Sequence, residues 1–387
     1  SISLQLMETN FDIAIVGAGP AGCSAALSLR ESGCSVALFE RKSFPRVKIC
    51  GDGLCDRSIN TLRDINPRYV DEFFSAYNPE SIQHTDLIYK NRRYRIDFKN
   101  FGYTCKRENF DNFLFSLVQR DCRNVTIFQN TEIQNVDNRN DEIVLFSGET
   151  MFRARIVIVC NGALSRISRI LTGEHIEKSK LGVAVRAYYN GVKDLQPDTI
   201  ELYYKKEFFP GYLWVFPLSD GSANVGFGWQ VEQDSDAEKN VRSVFEEWLS
   251  TDKELSERFR DAERLTPIQG GLVPYCSESY ECCGDNFFIC GDAANLIDPI
   301  SGGGIGNAML SGRFAALQAV QCLQKNDCSK QMTEKYVENL QKRIKKEMHI
   351  RHLLQKQFMK HRWMLDVLAF FGRRTAILRR IKAWYLD

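Results

Sequence analysis

Residues 11–40, FDIAIVGAGPAGCSAALSLRESGCSVALFE, decide the fold. Phe11 to Val16 is apolar enough for a buried parallel strand, and Ala21 to Ser32 is rich in helix formers. Gly17, Gly19 and Gly22 carry the G-x-G-x-x-G spacing between them. The first permits the tight turn, the second lets a pyrophosphate approach the backbone, and the third lets the helix pack on the strand. The N–H groups at that helix start are free to meet phosphates. Glu40 ends the second strand, 23 residues after Gly17, where a carboxylate can accept ribose hydroxyls. A glycine spacing alone is weak. Strand, turn, helix, strand and terminal acid in this order specify a dinucleotide site.

A second segment, 287–320, says which dinucleotide: FFICGDAANLIDPISGGGIGNAMLSGRFAALQAV. An apolar strand leads into Gly291-Asp292, and a glycine run opens a helix at about Ile305. An acid and a second helix N-terminus, roughly 270 residues from the first, suit a ligand too long for one strand–helix–strand unit. FAD has that length, with adenosine at the first segment and ribityl and isoalloxazine at the second. A plain glycine-rich connection is the alternative, and it leaves Gly291-Asp292 and Asp298-Pro299 without a role.

These residues lead to a family. The first segment, Arg107 within CKRENFDNFLFSLV, and the GDAANLIDPISGGGIG block resemble the FAD-dependent fold of p-hydroxybenzoate hydroxylase. Within that superfamily, ERKSFPRVKICGDGL is similar to the geranylgeranyl reductase family, which carries a Cys-Gly-x-Gly turn after the ribose-binding acid. The similarity runs from about residue 11 to 325 and rests on four separated motifs. It implies that Ala21, Glu40, Cys50, Gly51, Gly53, Arg107, Asp292, Gly304 and Ile305 contact FAD. Arg41, Pro299 and Gly303 join the expected cofactor set, with Gly17, Gly19 and Gly22. One departure is Asn161-Gly162 after ARIVIVC, where the superfamily usually has Asp-Gly. Hydroxylases use that region in linking flavin and NADPH sites, and no second glycine fingerprint supplies a nicotinamide domain. The electron donor is left open.

Residues 208–228, FFPGYLWVFPLSDGSANVGFG, hold six aromatics in 21 positions. Tyr212, Trp214 and Phe216 alternate, so they share one face of a strand. Pro217 ends it, and Gly226 and Gly228 are expected to let another backbone or a ligand come close. The reductase family has a closely similar pattern along its prenyl-chain pocket, although here the proline before the tyrosine sits one residue closer. Aromatic filling of a core is the competing explanation.

The expected architecture is α/β. A Rossmann-type FAD-binding domain spans 7–170 and 268–330. An antiparallel-sheet substrate domain is inserted at 171–267, and a helical C-terminal region covers 331–387. Met7 is expected to be the natural start, so residues 1–6 are left out of the fold reasoning. Net charge is +2, which gives no expectation of nucleic acid as a partner. No apolar run is long enough to span a bilayer, and no secretory signal opens the chain. Thirteen scattered cysteines without a Cys-x-x-Cys pair read as reduced thiols of a cytoplasmic protein. The group Cys276, Cys282, Cys283 and Cys290 fits no common metal spacing, so no metal is expected. From Gln341 to Asp387 there are 13 Lys or Arg and three acids, with Trp363, Leu365, Val367, Leu368, Phe370 and Phe371 as an apolar face. Such a stretch suits peripheral membrane contact or a solvated cap.

The resemblance implies an FAD-dependent oxidoreductase that reduces isolated C=C bonds of a prenyl lipid. An aromatic monooxygenase of the same superfamily and a flavin-bound membrane-surface binding protein remain as alternatives; no Trp-x-Trp-x-Ile-Pro run points to halogenation. An isolated alkene accepts hydride poorly unless a proton reaches its other carbon. An ordinary thiol, with a pKa of about 8.5, is protonated at pH 7. Cys50 is therefore the candidate proton source, or merely packs at the flavin edge. Tyr212 and Trp214 are candidates to stabilise developing positive charge through their ring faces.

Overall fold

A computed structural model describes residues 10–139, 141–174, 181–229, 237–274 and 281–361. The strand Asn10–Val16 lies at the centre of a parallel sheet. Val36–Phe39 and then Val125–Phe128 follow on one side, and Thr150–Val159 and then Phe287–Ile289 on the other. Val36–Phe39, Phe287–Ile289 and most of Asn10–Val16 are apolar and buried because helices cover them. Helix Pro20–Ser28 packs against both Arg107–Asp121 and Ile305–Lys325. The two sequence segments that specify FAD thus become neighbours across the sheet's carboxyl edge, where ligands of such sheets bind.

Glycine makes that approach possible at two points. Gly17 has φ +103°, and a Cβ there would stand 2.5 Å from the Cys160 carbonyl oxygen. On Gly22, a Cβ would meet the Gly17 carbonyl oxygen at 1.8 Å, so the third fingerprint glycine presses the helix onto the turn as its spacing implies. The observed helix ends at Ser28, four residues before the sequence reading placed its end.

A second sheet runs in the order Glu263–Arg264, Leu181–Asn190, Ala223–Trp229, Tyr212–Pro217, Thr199–Tyr204, Glu80–Tyr89, Arg92–Thr104, Gly53–Cys55. Gln269–Pro274 also pairs with Leu181–Asn190. All its pairings are antiparallel except Glu80–Tyr89 with Thr199–Tyr204. Its membership crosses the expected boundaries at 171 and 267: three strands come from before the first and one from after the second. The reason is that parallel pairing between residues 80–89 and 199–204, which leaves no local signature. One face of this sheet packs under helix Ala237–Thr251 through Val185, Val225, Phe227, Phe245 and Trp248. The other face turns toward the parallel sheet.

Helices Lys330–Leu340 and Lys346–Lys360, joined through Gln341–Lys345, bury Met332, Tyr336, Leu340, Ile344 and Met348 in the core of the first unit. This part of the C-terminal region is a cap. The stretch from Trp363 to Phe371 lies outside the described residues. Among the described residues no helix is long and apolar enough to cross a membrane.

The contact between helices Pro20–Ser28 and Ile305–Lys325 depends on Gly312, where a Cβ would lie 2.1 Å from the Ala21 carbonyl oxygen. Alanine has the better helix propensity by about 1 kcal/mol, but overpacking costs about 1–3 kcal/mol. Gly312→Ala is therefore expected to lower the thermal midpoint and loosen the cofactor groove. A midpoint equal to or above the parent's would show that the helices are not in this contact.

Candidate active site

A groove of about 1070 Å³ opens at the carboxyl edge of the parallel sheet. Gly17, Gly19, Ala21, Glu40, Arg41 and Asp292, all among the residues expected to contact FAD, line it. Glu40 follows the last residue of its strand and is buried. Its carboxylate accepts from the backbone N–H of Ala18 at 3.2 Å and of Lys42 at 3.0 Å. Helix Pro20–Ser28 starts with Pro20 and carries no side-chain cap, and helix Ile305–Lys325 starts at Gly304 without one. Both N-termini therefore keep amide donors available to a ligand. Glycine turn, two open helix starts and a buried acid form a donor and acceptor set that fits FAD. Arg46 was not anticipated. Its guanidinium lies 3.4 Å from Glu40 and 3.2 Å from Asp111, beside Gly19.

The groove continues into a chamber of about 300 Å³ between the parallel sheet and the inner face of the second sheet. Lys48, Gly271, Leu272, Asp292 and Ala308 border both. Asp292 pairs with Lys48 at 3.2 Å, at the junction. Cys50, Gly51, Gly53, Arg107, Tyr212, Trp214, Phe216, Gly303, Gly304 and Ile305 all line the chamber. The alternation of Tyr212, Trp214 and Phe216 does place them on one face, looking into it. A Cβ on Gly51 or Gly53 would touch Phe216 at 3.4 or 3.5 Å, an ordinary contact. The protein alone does not require these glycines.

A Cβ on Gly226 would stand 2.4 Å from the Val185 carbonyl oxygen and 2.2 Å from the Trp214 indole, so this glycine admits a neighbouring strand's backbone and also makes room for that ring. Gly228 lines the chamber. One expectation needs correcting. Pro299 is set back from both cavities, and its carbonyl accepts from Gln355 Nε2 at 2.6 Å.

Beneath the Cys50 turn is a polar network that the sequence reading missed. Asp52 has φ +68° and is 0% exposed. Its carboxylate accepts from the Arg107 backbone N–H at 3.0 Å, the Tyr188 hydroxyl at 2.7 Å and Asn224 Nδ2 at 2.7 Å. Asn224 Nδ2 also donates to the Cys50 carbonyl at 2.8 Å, while its Oδ1 accepts from Trp214 Nε1 at 2.9 Å. One amide thus fixes both the Cys50 turn and the Trp214 ring. Burial pushes the Asp52 carboxyl above the ordinary aspartate range, against the pull of Asn224, Tyr188, Arg107 and Arg186. The available signals were an acid between two glycines and a lone polar residue in the apolar strand ANVGFGW.

Cys50 is half-buried, and its sulfur accepts from the Asp52 backbone N–H at 3.3 Å. Burial works against the charge on Arg107. Asp111, held at 2.9 and 3.0 Å, and the neighbouring Cys50 thiol more than offset this and keep Arg107 above the usual arginine range. A thiol, a fixed cation and an aromatic wall thus meet beside the groove.

The family model of the FAD binding domain matches residues 10–350. This chain belongs to that family. It is 30% identical over 332 residues to digeranylgeranylglycerophospholipid reductase 2 of Methanopyrus kandleri, covering 84% of this chain and 81% of the relative. To menaquinone reductase of Mycolicibacterium smegmatis it is 28% identical over 329 residues, covering 80% of this chain and 76% of that one. A geranylgeranyl bacteriochlorophyll reductase-like protein of Thermoplasma acidophilum has the same fold. Its structure superposes with a TM-score of 0.78 at 22% identity, covering 91% of this chain and 88% of that one. The cofactor of this family member is FAD, and the chain is an FAD-dependent oxidoreductase of the geranylgeranyl reductase type.

If Glu40 and Asp292 hold FAD, then Glu40→Ala and Asp292→Ala each remove a charge-assisted hydrogen bond of about 1.5–3 kcal/mol. Each is expected to raise the FAD dissociation constant about 10- to 150-fold, measured by flavin fluorescence. Unchanged retention in both variants would displace them from the cofactor contacts. Asn224→Leu is expected to keep FAD while mobilising Trp214 and the Cys50 turn, read as raised accessibility of the Cys50 thiol to a maleimide. Unaltered thiol accessibility would show that the amide does not hold the turn.

Proposed function

We propose that this protein saturates isolated C=C bonds of a geranylgeranyl-type prenyl lipid in the chamber lined by Cys50 and the Tyr212–Trp214–Phe216 face. The observation that carries this reading is the chamber itself. It is largely apolar and continuous with the cofactor groove, and the Cys50 thiol lines it. Relatives named for a geranylgeranyl lipid and for a quinone differ in head group, which agrees with a pocket built for the chain.

Reduced FAD supplies a hydride when bound. The residues do the rest. Trp214 is held by Asn224, and Tyr212 is anchored by donating its hydroxyl hydrogen to the Ser301 carbonyl. An alkene carbon that receives hydride leaves its neighbour needing a proton. The Cys50 S–H gives that proton, and the positive charge of Arg107 and the Asp52 N–H stabilise the thiolate left behind. A proton from solvent restores the thiol through the half-buried turn. Where proton transfer from Cys50 runs ahead of hydride transfer, positive charge grows on the chain, and the ring faces of Tyr212 and Trp214 favour it. Glu40, Arg41 and the Gly17–Gly22 turn hold the adenosine half, and Asp292, Gly303, Gly304 and Ile305 hold the flavin half.

An aromatic monooxygenase would consume oxygen in response to substrate. We expect no substrate-dependent oxygen uptake on adding a geranylgeranyl lipid under air, and saturated product when reduced protein is given that lipid without air. Oxygen uptake with a hydroxylated product would favour the monooxygenase, and neither response would leave a binding protein. Cys50→Ala is expected to bind FAD normally and lose at least tenfold in saturation rate, with Cys50→Ser in between. Parental rates in both would place the proton source elsewhere.

A further inference from the structure

The helix Lys346–Lys360 has two unlike sides. Its inner side belongs to the protein: Met348 is buried, Arg351 pairs with Asp298, and Gln355 Nε2 donates to the Pro299 carbonyl at 2.6 Å. Its outer side is a stripe at i, i+4, i+7, i+11 and i+14, formed by Lys346, Ile350, Leu353, Gln357 and Lys360, all exposed. Ile350 is 44% and Leu353 49% exposed. His349 and Lys356 flank the stripe and are exposed as well. Between residues 341 and 360 there are seven Lys or Arg and one acid, Glu347, which is held by Arg57 and Arg351. The stripe thus has apolar side chains at its centre, cations at both ends and along one edge, and no carboxylate of its own.

Helix and chamber are joined through one loop. Asp298 takes Arg351 and also accepts from the backbone N–H of Ile300 at 2.9 Å and of Ser301 at 2.7 Å. Gly302 and Gly303 line the chamber and reach solvent, so this loop is part of its rim. Apolar side chains bordered by cations suit acyl chains beneath anionic head groups, whereas two copies of so basic a face repel each other. We propose that this stripe docks on an anionic lipid surface and so holds the chamber rim beside it. Arg351 and Gln355 are on the opposite side of the helix, which puts the rim about one helix diameter, 10–12 Å, from that surface. The docking is independent of the reductase reading; delivery of a prenyl chain from the surface into the chamber rests on it.

The test floats the full FAD-loaded chain with vesicles of phosphatidylcholine alone and of phosphatidylcholine mixed with phosphatidylglycerol. Binding is expected to the anionic vesicles and to weaken as salt is raised. Lys346→Gln combined with Lys356→Gln is expected to lower the partition constant about 25-fold, about fivefold for each cation removed. Leu353→Gln is expected to lower it about 4- to 12-fold, since about half of that side chain is left to bury. FAD retention, thermal midpoint and saturation of a detergent-dispersed prenyl alcohol are expected to stay at parental values, which separates a docking defect from a folding defect. Anionic-vesicle binding that these substitutions leave unchanged, equal binding to both kinds of vesicle, or binding to neither would overturn the proposal. A doubled mass in solution that Leu353→Gln returns to one chain would assign the stripe to a second copy and overturn it too. Vesicle binding that is lost in the variants, with no saturated product from parent or variant, keeps the docking and sinks the reductase reading.

Discussion

A carboxylate without solvent or a counterion in contact is among the most costly groups a protein can bury, and Asp52 is such a group. Three hydrogen bonds make it tolerable, and they come from the start of one helix and two strands of the second sheet. The parallel-sheet unit and the second sheet are thereby locked at one point. That point is directly behind Cys50. Displace the second sheet by an ångström and Asp52 loses Tyr188 and Asn224 together; Asn224 in turn releases the Cys50 carbonyl and Trp214. The chamber keeps its shape because the alternative is an unsatisfied buried charge.

Charge is handled in the same manner along the groove. Glu40, Arg46, Asp111 and Arg107 alternate in sign from the adenosine end to the Cys50 turn. Arg46 and Arg107 each have a carboxylate within reach. The fixed cation at the end of this chain stands by Cys50, which lines the chamber with the aromatic wall. The apolar part begins there: Trp214, Phe216, Ile200 and Leu202 form a surface that favours hydrocarbon.

The nucleotide-binding half was legible because its signals are local. Gly17, Gly22 and Glu40 act within one strand–turn–helix–strand unit, and the second motif repeats that logic at Asp292 and Gly304. Tyr212, Trp214 and Phe216 were legible by alternation alone. What escaped depends on pairings between distant segments. Residues 80–89 become neighbours of 199–204 through a parallel pairing, which makes that strand part of the chamber wall and moves the sheet's boundary well before residue 171. Asp52 and Asn224 are 172 residues apart, and neither type in isolation marks a site. Gly226 was read as a point of backbone approach, which the Val185 carbonyl fulfils; that it also seats the Trp214 ring shows only in the fold.

The central claim is that hydride leaves the groove for a carbon held in the chamber, with the proton supplied by the protein. An anaerobic single turnover measures this directly: photoreduced holoenzyme is mixed with one equivalent of a geranylgeranyl lipid, following flavin reoxidation by absorbance and the lipid by mass. The account predicts that each flavin reoxidised adds two hydrogens to one double bond, and that the two changes share one rate constant. Flavin that stays reduced until air is admitted, with the lipid's mass unchanged, would contradict it.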